Sequence, residues 1–290
     1  MRFFQRKPTV PVLRFTGAIG MVTPLRPGIS LATTAAGIER AFNLSKTPAV
    51  AIVINSPGGS PVQSHLIYLR IRALAKETGK TAYVFTEDVC ASGGYFLALA
   101  GDEIYADPSS IVGSIGVISA SFGFDKLIDK IGVERRVYTS GERKMALDPF
   151  SPEKAEEVAR LKALQQDVHQ TFIGIVKERR GAKLQAADDA LFSGEFWSGP
   201  KARDLGLVDG IGDVRTKMRE KFGDKVQLPV VTFGGGWWRR RLGQSLVGAF
   251  AGAGRSSLDP TAMAGGLGAG LTADLVSTLE TRALWARFGL

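Results

Sequence analysis

The sequence predicts an α/β protein in which a parallel sheet, flanked by helices, is assembled from repeated strand-turn-helix units. Three observations carry that reading. Residues 49–54 form an uninterrupted apolar run of strand length, as expected of a central parallel strand covered on both faces. Residues 81–86 alternate and carry β-branched and aromatic side chains, the pattern of a second strand. Each run opens into a glycine turn, Pro57-Gly58-Gly59 and Ser92-Gly93-Gly94, and then into a helical stretch over 62–75 and 95–100. Right-handed crossovers would set both turns on the same edge of the sheet.

The other elements follow in order. Residues 10–15 read as an entry strand, and a short helix runs through Ile38 and Phe42. Strands are expected at 104–106 and 111–118, with Asp107-Pro108-Ser109 turning between them. A helix around 126–131 and a strand at 133–138 lead into the polar loop Ser140-Gly141-Glu142-Arg143-Lys144. Ser151-Pro152-Glu153 has the composition of a helix start. Val158, Leu161, Val168, Phe172 and Ile175 then line one face of a long helix that Gly181 ends. Residues 184–190 suggest a further short helix, 192–212 close the body, and 228–233 read as a last strand.

With 290 residues and 44% hydrophobic content, the chain can bury a sizeable core. Three parts are expected: a basic arm over 1–9, a body over 10–233 and a glycine-rich basic extension over 234–290 with a terminal helix. The net charge of +9 concentrates at the ends, in Arg2, Arg6 and Lys7 and in the arginines beyond residue 234. Basic ends on a near-neutral body suit an anionic membrane surface better than a nucleic-acid groove, with solvated tails as the alternative. Trp237-Trp238-Arg239-Arg240-Arg241 sets two interfacial aromatics beside three cations, a combination that settles at a bilayer surface; a partner-docking patch or a tail of poor order are the other readings. Neither a signal peptide nor an apolar run of about 20 residues is evident, so the chain is expected to be cytoplasmic, at most peripheral on the cytoplasmic face of the inner membrane. The single Cys90 can form no internal disulfide. It is expected to be a small apolar filler beneath the turn rather than a nucleophile.

The chemistry centres on Ser92. At a strand-to-helix turn its hydroxyl points out beside unpaired N–H groups, where attack on a carbonyl would find donors for the oxyanion. A serine nucleophile needs a base. The two histidines, His65 and His169, fall within helical stretches and read as packing or surface residues, His65 being a minor candidate. A lysine can serve where burial lowers its pKa and frees a neutral amine. Lys144, flanked by Ser140-Gly141 and Met145-Ala146-Leu147, could run its stem into an apolar pocket, and Ser114 in Gly113-Ser114-Ile115-Gly116 is of the type that could orient the amine. Taken alone, both also read as an ordinary surface lysine and a small strand residue.

Five motifs together carry a resemblance. Asn55-Ser56-Pro57-Gly58-Gly59, Ala91-Ser92-Gly93-Gly94-Tyr95, Val112-Gly113-Ser114-Ile115-Gly116-Val117, Ser140-Gly141 with Lys144, and Leu205-Gly206-Leu207-Val208-Asp209 occur in the order found in the signal peptide peptidase A family of serine peptidases, peptidase family S49. The similarity spans roughly residues 10–225. It implies a Clp protease/crotonase-like fold and a Ser/Lys dyad in which Ser92 matches the nucleophile and Lys144, 52 residues on, matches the base. It also implies that Ser114 hydrogen-bonds the lysine and that the Gly59 and Gly93 N–H groups form the oxyanion hole. Rings or domes of subunits, peptide substrates and no metal or other cofactor are further implications. Arg143 beside Lys144 would help depress the lysine's pKa if both stand near the site. Short family members carry an N-terminal membrane anchor that this sequence does not show. The competing readings are a crotonase-type enzyme acting on acyl-CoA thioesters, a Clp-type Ser/His/Asp protease, and an inactive scaffold at membranes.

Overall fold

The computed structural model describes residues 7–20, 28–141, 143–233, 279 and 282–289. Trp237 to Arg241, expected at a bilayer surface, lie outside them. The first strand, β1 (Val12–Thr16), leads to helix α1 (Leu31–Asn43), which begins at a capping box: the Ser30 hydroxyl accepts from Thr33 N–H while the Thr33 hydroxyl accepts from Ser30 N–H. Strand β2 (Ala49–Ser56) is buried along almost its whole length, and helix α2 (Pro61–Thr78) starts with Pro61 in its first turn and ends at Gly79 in the left-handed conformation. Strand β3 (Thr81–Ala91) runs five residues beyond the apolar alternation and delivers the chain to helix α3 (Gly93–Ala98).

The extra length of β3 organises the sheet. Its first half pairs in parallel with β4 (Glu103–Ala106), and its last three residues pair with β5 (Ile111–Gly113). With the short strands β6 (Phe196–Ser198), β7 (Gly210–Ile211) and β8 (Val230–Val231) the order along the main path is β6-β5-β3-β2-β1-β8, and β4 and β7 branch from β3. Every pairing is parallel except β5 with β6. One face, with Ile52, Ile54, Val84 and Cys90, packs under α1, α2 and α3; the other, with Val53, Tyr83 and Phe85, is covered by helix α8 (Val214–Phe222) through Met218. Residues 282–286 are helical, and Phe288 packs against Val89 and Ala91 of β3.

Between β5 and β6 the chain leaves the body. Helix α4 (Asp125–Lys130) buries none of its residues, and Phe122 and Tyr138 are 79% and 90% exposed. The strand expected at 133–138 does not form, and no strand edge pairs with it among the described residues. The strand expected over 111–118 stops at Gly113, where Ser114 turns to φ 52. Helix α5 (Ala155–Arg180) starts beyond Ser151, whose hydroxyl bonds Asp148 instead of capping it. Only its last turns are buried, at Phe172, Val176 and Arg180. Arg180 anchors that end, donating to the Gly206 carbonyl (2.8 Å) and the Asp209 carboxylate (2.8 Å), and Asp209 also accepts from Ile104 N–H and Lys183. The helix expected over 184–190 is reduced to α6 (Asp188–Leu191), and α7 (Gly199–Asp204) follows β6.

Candidate active site

Two serines stand at the ends of neighbouring strands in the same unusual conformation. The register pairs Ala91 of β3 with Gly113 of β5, so the next residues, Ser92 and Ser114, emerge side by side, and each has φ 52. Positive φ in a non-glycine residue costs roughly 1–3 kcal/mol and persists only where the surroundings over-determine it. Here they do. Ser92 N–H donates to the Gly113 carbonyl (2.8 Å), its own carbonyl accepts from Phe96 N–H (3.0 Å), and Ser114 N–H donates to the Glu195 carbonyl (2.6 Å). Ser92 is half-buried and Ser114 only 5% exposed. Such a strand-to-helix elbow aims a serine hydroxyl away from its own backbone and toward a substrate.

The glycine turn after β2 closes on this elbow. Ile19 N–H donates to the Gly58 carbonyl (2.8 Å), and Ser60 N–H donates to the Ile19 carbonyl (2.9 Å). The groups on either side of Gly59 therefore face Ile19, and Gly59 N–H, by the alternation of an extended chain, faces the opposite way. That is toward Gly93: a Cβ on Gly93 would lie 3.3 Å from the Gly59 nitrogen, and one on Gly58 would lie 2.8 Å from the Gly93 nitrogen. Gly93 N–H, at the start of α3, has no intrahelical acceptor. The backbone nitrogens of Gly59 and Gly93 thus stand close together beside the Ser92 elbow. Side chains at Gly58, Gly59 or Gly93 would fill the space, the tightest being Gly59, whose Cβ would sit 2.1 Å from the Ile19 carbonyl oxygen. Tyr95 secures α3 from below, donating to the Leu207 carbonyl (2.8 Å), which gives the Leu205–Asp209 segment its place in the pattern.

The chain belongs to peptidase family S49. The description "Peptidase family S49" matches residues 74–226, just over half of the chain, a span containing Ser92, Gly93, Ser114 and Lys144, with Gly59 preceding it. The parallel sheet, its flanking helices and this membership together identify a Clp protease/crotonase-like fold. A protein of Brucella abortus (strain 2308) named Na(+)/H(+) antiporter NhaA is 56% identical over 290 residues, which cover 100% of this chain and 38% of that protein. The serine protease SPPA of Arabidopsis thaliana, named as chloroplastic, is 32% identical over 208 residues, 70% of this chain and 30% of its own length. Protease 4 of Salmonella typhi is 32% identical over 210 residues, 71% of this chain and 33% of its own length. The chain thus spans little more than a third of the length of these curated relatives, or less. No described helix of the S49 chain is long and apolar enough to cross a membrane.

Lys144 lies elsewhere in character. It is exposed, in a turn with Ser140, Gly141 and Arg143, and makes no hydrogen bond to Ser92 or Ser114. No apolar pocket surrounds its stem among the described residues. The turn is nevertheless fixed: Leu147 (φ 58) donates its N–H to the Glu157 carboxylate (2.8 Å) on the first turn of α5. Arg135 and Asp148 pair at 2.8 Å, and Arg135 stacks over Phe150.

Cys90 is fully buried, and burial pushes its thiol well above the ordinary range, as suits a filler and not a nucleophile. His65 packs among Tyr68 and Phe96. His169 is the residue that reading by position in the chain misses, since its Nε2 meets the Ile115 carbonyl (3.1 Å), next to Ser114. Nothing local in the sequence signals a contact across 54 residues. Among the described residues no three His, Cys, Asp or Glu side chains are grouped to hold a metal ion. A cavity of about 1160 Å³, lined by Lys7, Ser45, Lys46 and Phe222, lies at the opposite ends of the strands, away from Ser92.

Proposed function

We propose that this S49 chain is a serine endopeptidase with a Ser92/Lys144 dyad, acting on unfolded or membrane-derived peptides, with its peptidase domain over residues 10–233. The observation that carries this is the convergence of a strained, half-buried Ser92 with the outward N–H groups of Gly59 and Gly93. The Lys144 amine takes the proton from the Ser92 hydroxyl as its oxygen attacks the scissile carbonyl. The two N–H groups hold the oxyanion, the protonated lysine gives its proton to the leaving amine, and water repeats the cycle on the acyl-enzyme. Ser114 orients the amine.

The exposure of Lys144 bears on where that amine comes from. Its turn is attached at Glu157 and the serine pair lies near His169, about 18 Å of helix apart. We therefore infer that the site is completed in a homo-oligomer, where the arm of one copy lies over the elbow of the next and the lysine is desolvated on docking. Exposed Ile118, Phe122, Leu127, Ile131 and Tyr138 on that arm supply the apolar surface for such a contact.

Labelling by a serine-directed fluorophosphonate tests the reading. Wild type should be labelled, Ser92→Ala should not, and Lys144→Ala should lose most labelling without recovery in Lys144→Arg. Mixing the Ser92→Ala and Lys144→Ala chains should restore part of the signal if the lysine acts between copies. Labelling that survives in Ser92→Ala would refute the assignment. A crotonase-type acyl-CoA enzyme predicts instead coenzyme A binding and a silent Ser92→Ala.

A further inference from the structure

We propose that His169 is a positioning residue for the dyad, and the inference rests on the peptidase reading above. A carbonyl can only accept, so the 3.1 Å contact assigns the proton to Nε2 and makes His169 the donor to the Ile115 oxygen. That peptide directly follows Ser114, whose φ of 52 needs holding from both sides. On the upstream side the Ser92 and Glu195 backbone bonds do this. Downstream, Ile115 is fully buried and its carbonyl is fixed by the imidazole alone among the described side chains. With Nε2 committed to a backbone oxygen, His169 is not disposed to serve as the base of a Ser/His/Asp triad.

The same helix carries both parts of the proposed dyad's support. Glu157, on the first turn of α5, accepts from Leu147 N–H in the lysine turn, and His169, three turns on, grips the peptide after Ser114. Arg180 and its partners tie the far end of the helix to the body. α5 is therefore a rigid strut whose stance relative to the serine pair is set by His169. Losing the donor frees the Ile115 peptide, lets Ser114 relax from positive φ, and loosens both the orienting hydroxyl and the angle at which the arm is presented.

The test compares His169→Gln, whose amide N–H can take the place of Nε2–H, with His169→Leu, which has no donor. Each variant is measured for fluorophosphonate labelling rate, peptide hydrolysis and thermal midpoint, with Ser92→Ala as control. Leu should lower the labelling rate and kcat about ten-fold with KM little changed, and Gln should recover most of that loss. The proposal is overturned if folded His169→Leu protein labels at the wild-type rate, or if Gln is as slow as Leu, since the hydrogen bond would then not be what matters. If His169→Leu does not fold, His169→Gln is compared with wild type, and a labelling rate in Gln about ten-fold below wild type overturns the proposal. Unchanged labelling in Ser92→Ala, or none in wild type, overturns the peptidase reading itself and this inference with it, which separates the two failures.

Discussion

Around Ser92 the chain is buried, closely hydrogen-bonded and held in a conformation it would not adopt alone; around Lys144 it is exposed, and the Arg135–Asp148 pair, the stacking of Arg135 on Phe150 and the Glu157 cap are among its surface supports. Both belong to the proposed dyad, so the contrast is informative. An elbow that must keep two serines and two N–H donors in fixed relation needs a packed core to absorb its strain. A base that must be neutral when it acts needs only to be delivered to a dry place, and the arm carries the apolar surface for delivery in an assembly. One region stores geometry, and the other, in the proposed assembly, takes its place against a partner copy.

The largest expected effect separates activity from folding. Ser92→Ala should reduce kcat by at least about 10⁴-fold while leaving the thermal midpoint near that of wild type, because the hydroxyl makes no hydrogen bond to the described residues. Ser92→Gly sharpens the point: it should be equally inactive yet more stable, by up to about 1 kcal/mol in chemical denaturation, since glycine occupies positive φ at little cost. A destabilised Ser92→Gly would show that the elbow is not strained.

Next in size is the anchor of α5. Arg180 is 4% exposed and is bound by Asp209, so Asp209→Asn leaves a buried guanidinium uncompensated and should cost roughly 3–5 kcal/mol in urea unfolding. The loss should fall on the body, not the arm. Burial alone would push the Asp209 carboxyl up, but hydrogen bonds from Arg180 and Lys183, the guanidinium charge and Ile104 N–H hold it below the ordinary carboxylate range. A folded pKa below the unfolded value of about 3.9 means the contribution is present above that pH and is lost as the pH falls through the folded value. Wild type should therefore lose stability in acid below about pH 4, and the variant should lack this part of the acid dependence.

The same contrast explains how much was legible in the sequence. The strands and glycine turns of the body could be read because apolar runs and Pro-Gly-Gly or Ser-Gly-Gly punctuation are local signals. The sharp end of β5 at Gly113 could not, because Val112 to Ile118 continues the strand pattern and only the tertiary bonds of Ser114 and Ile115 override it. The apolar residues at 133–138 read as a strand for the same reason, yet a strand needs a neighbouring edge and the described residues offer none there. His169 and Arg180 were opaque because their partners, Ile115 and Asp209, are 54 and 29 residues away. Gly59, Ser92 and Gly93 were legible as a turn pair, but the way the Gly59 N–H turns from Ile19 toward the second turn depends on the pairing of Ile19 with Gly59.

The smallest expected effect on stability is the most discriminating for the arm. Lys144 is exposed and unpaired among the described residues, so Lys144→Ala should change the unfolding free energy of dilute, dissociated protein by no more than about 0.5 kcal/mol. In an assembly the outcome should invert. A lysine desolvated at a contact opposes docking, and its removal should hold or tighten association while abolishing hydrolysis. Replacing Phe122 and Tyr138 by Ser should do the reverse, weakening association in sedimentation while leaving every group of the Ser92 elbow intact. If those arm variants stay fully active as monomers, the lysine reaches Ser92 within one chain, and the exposed arm has some other purpose.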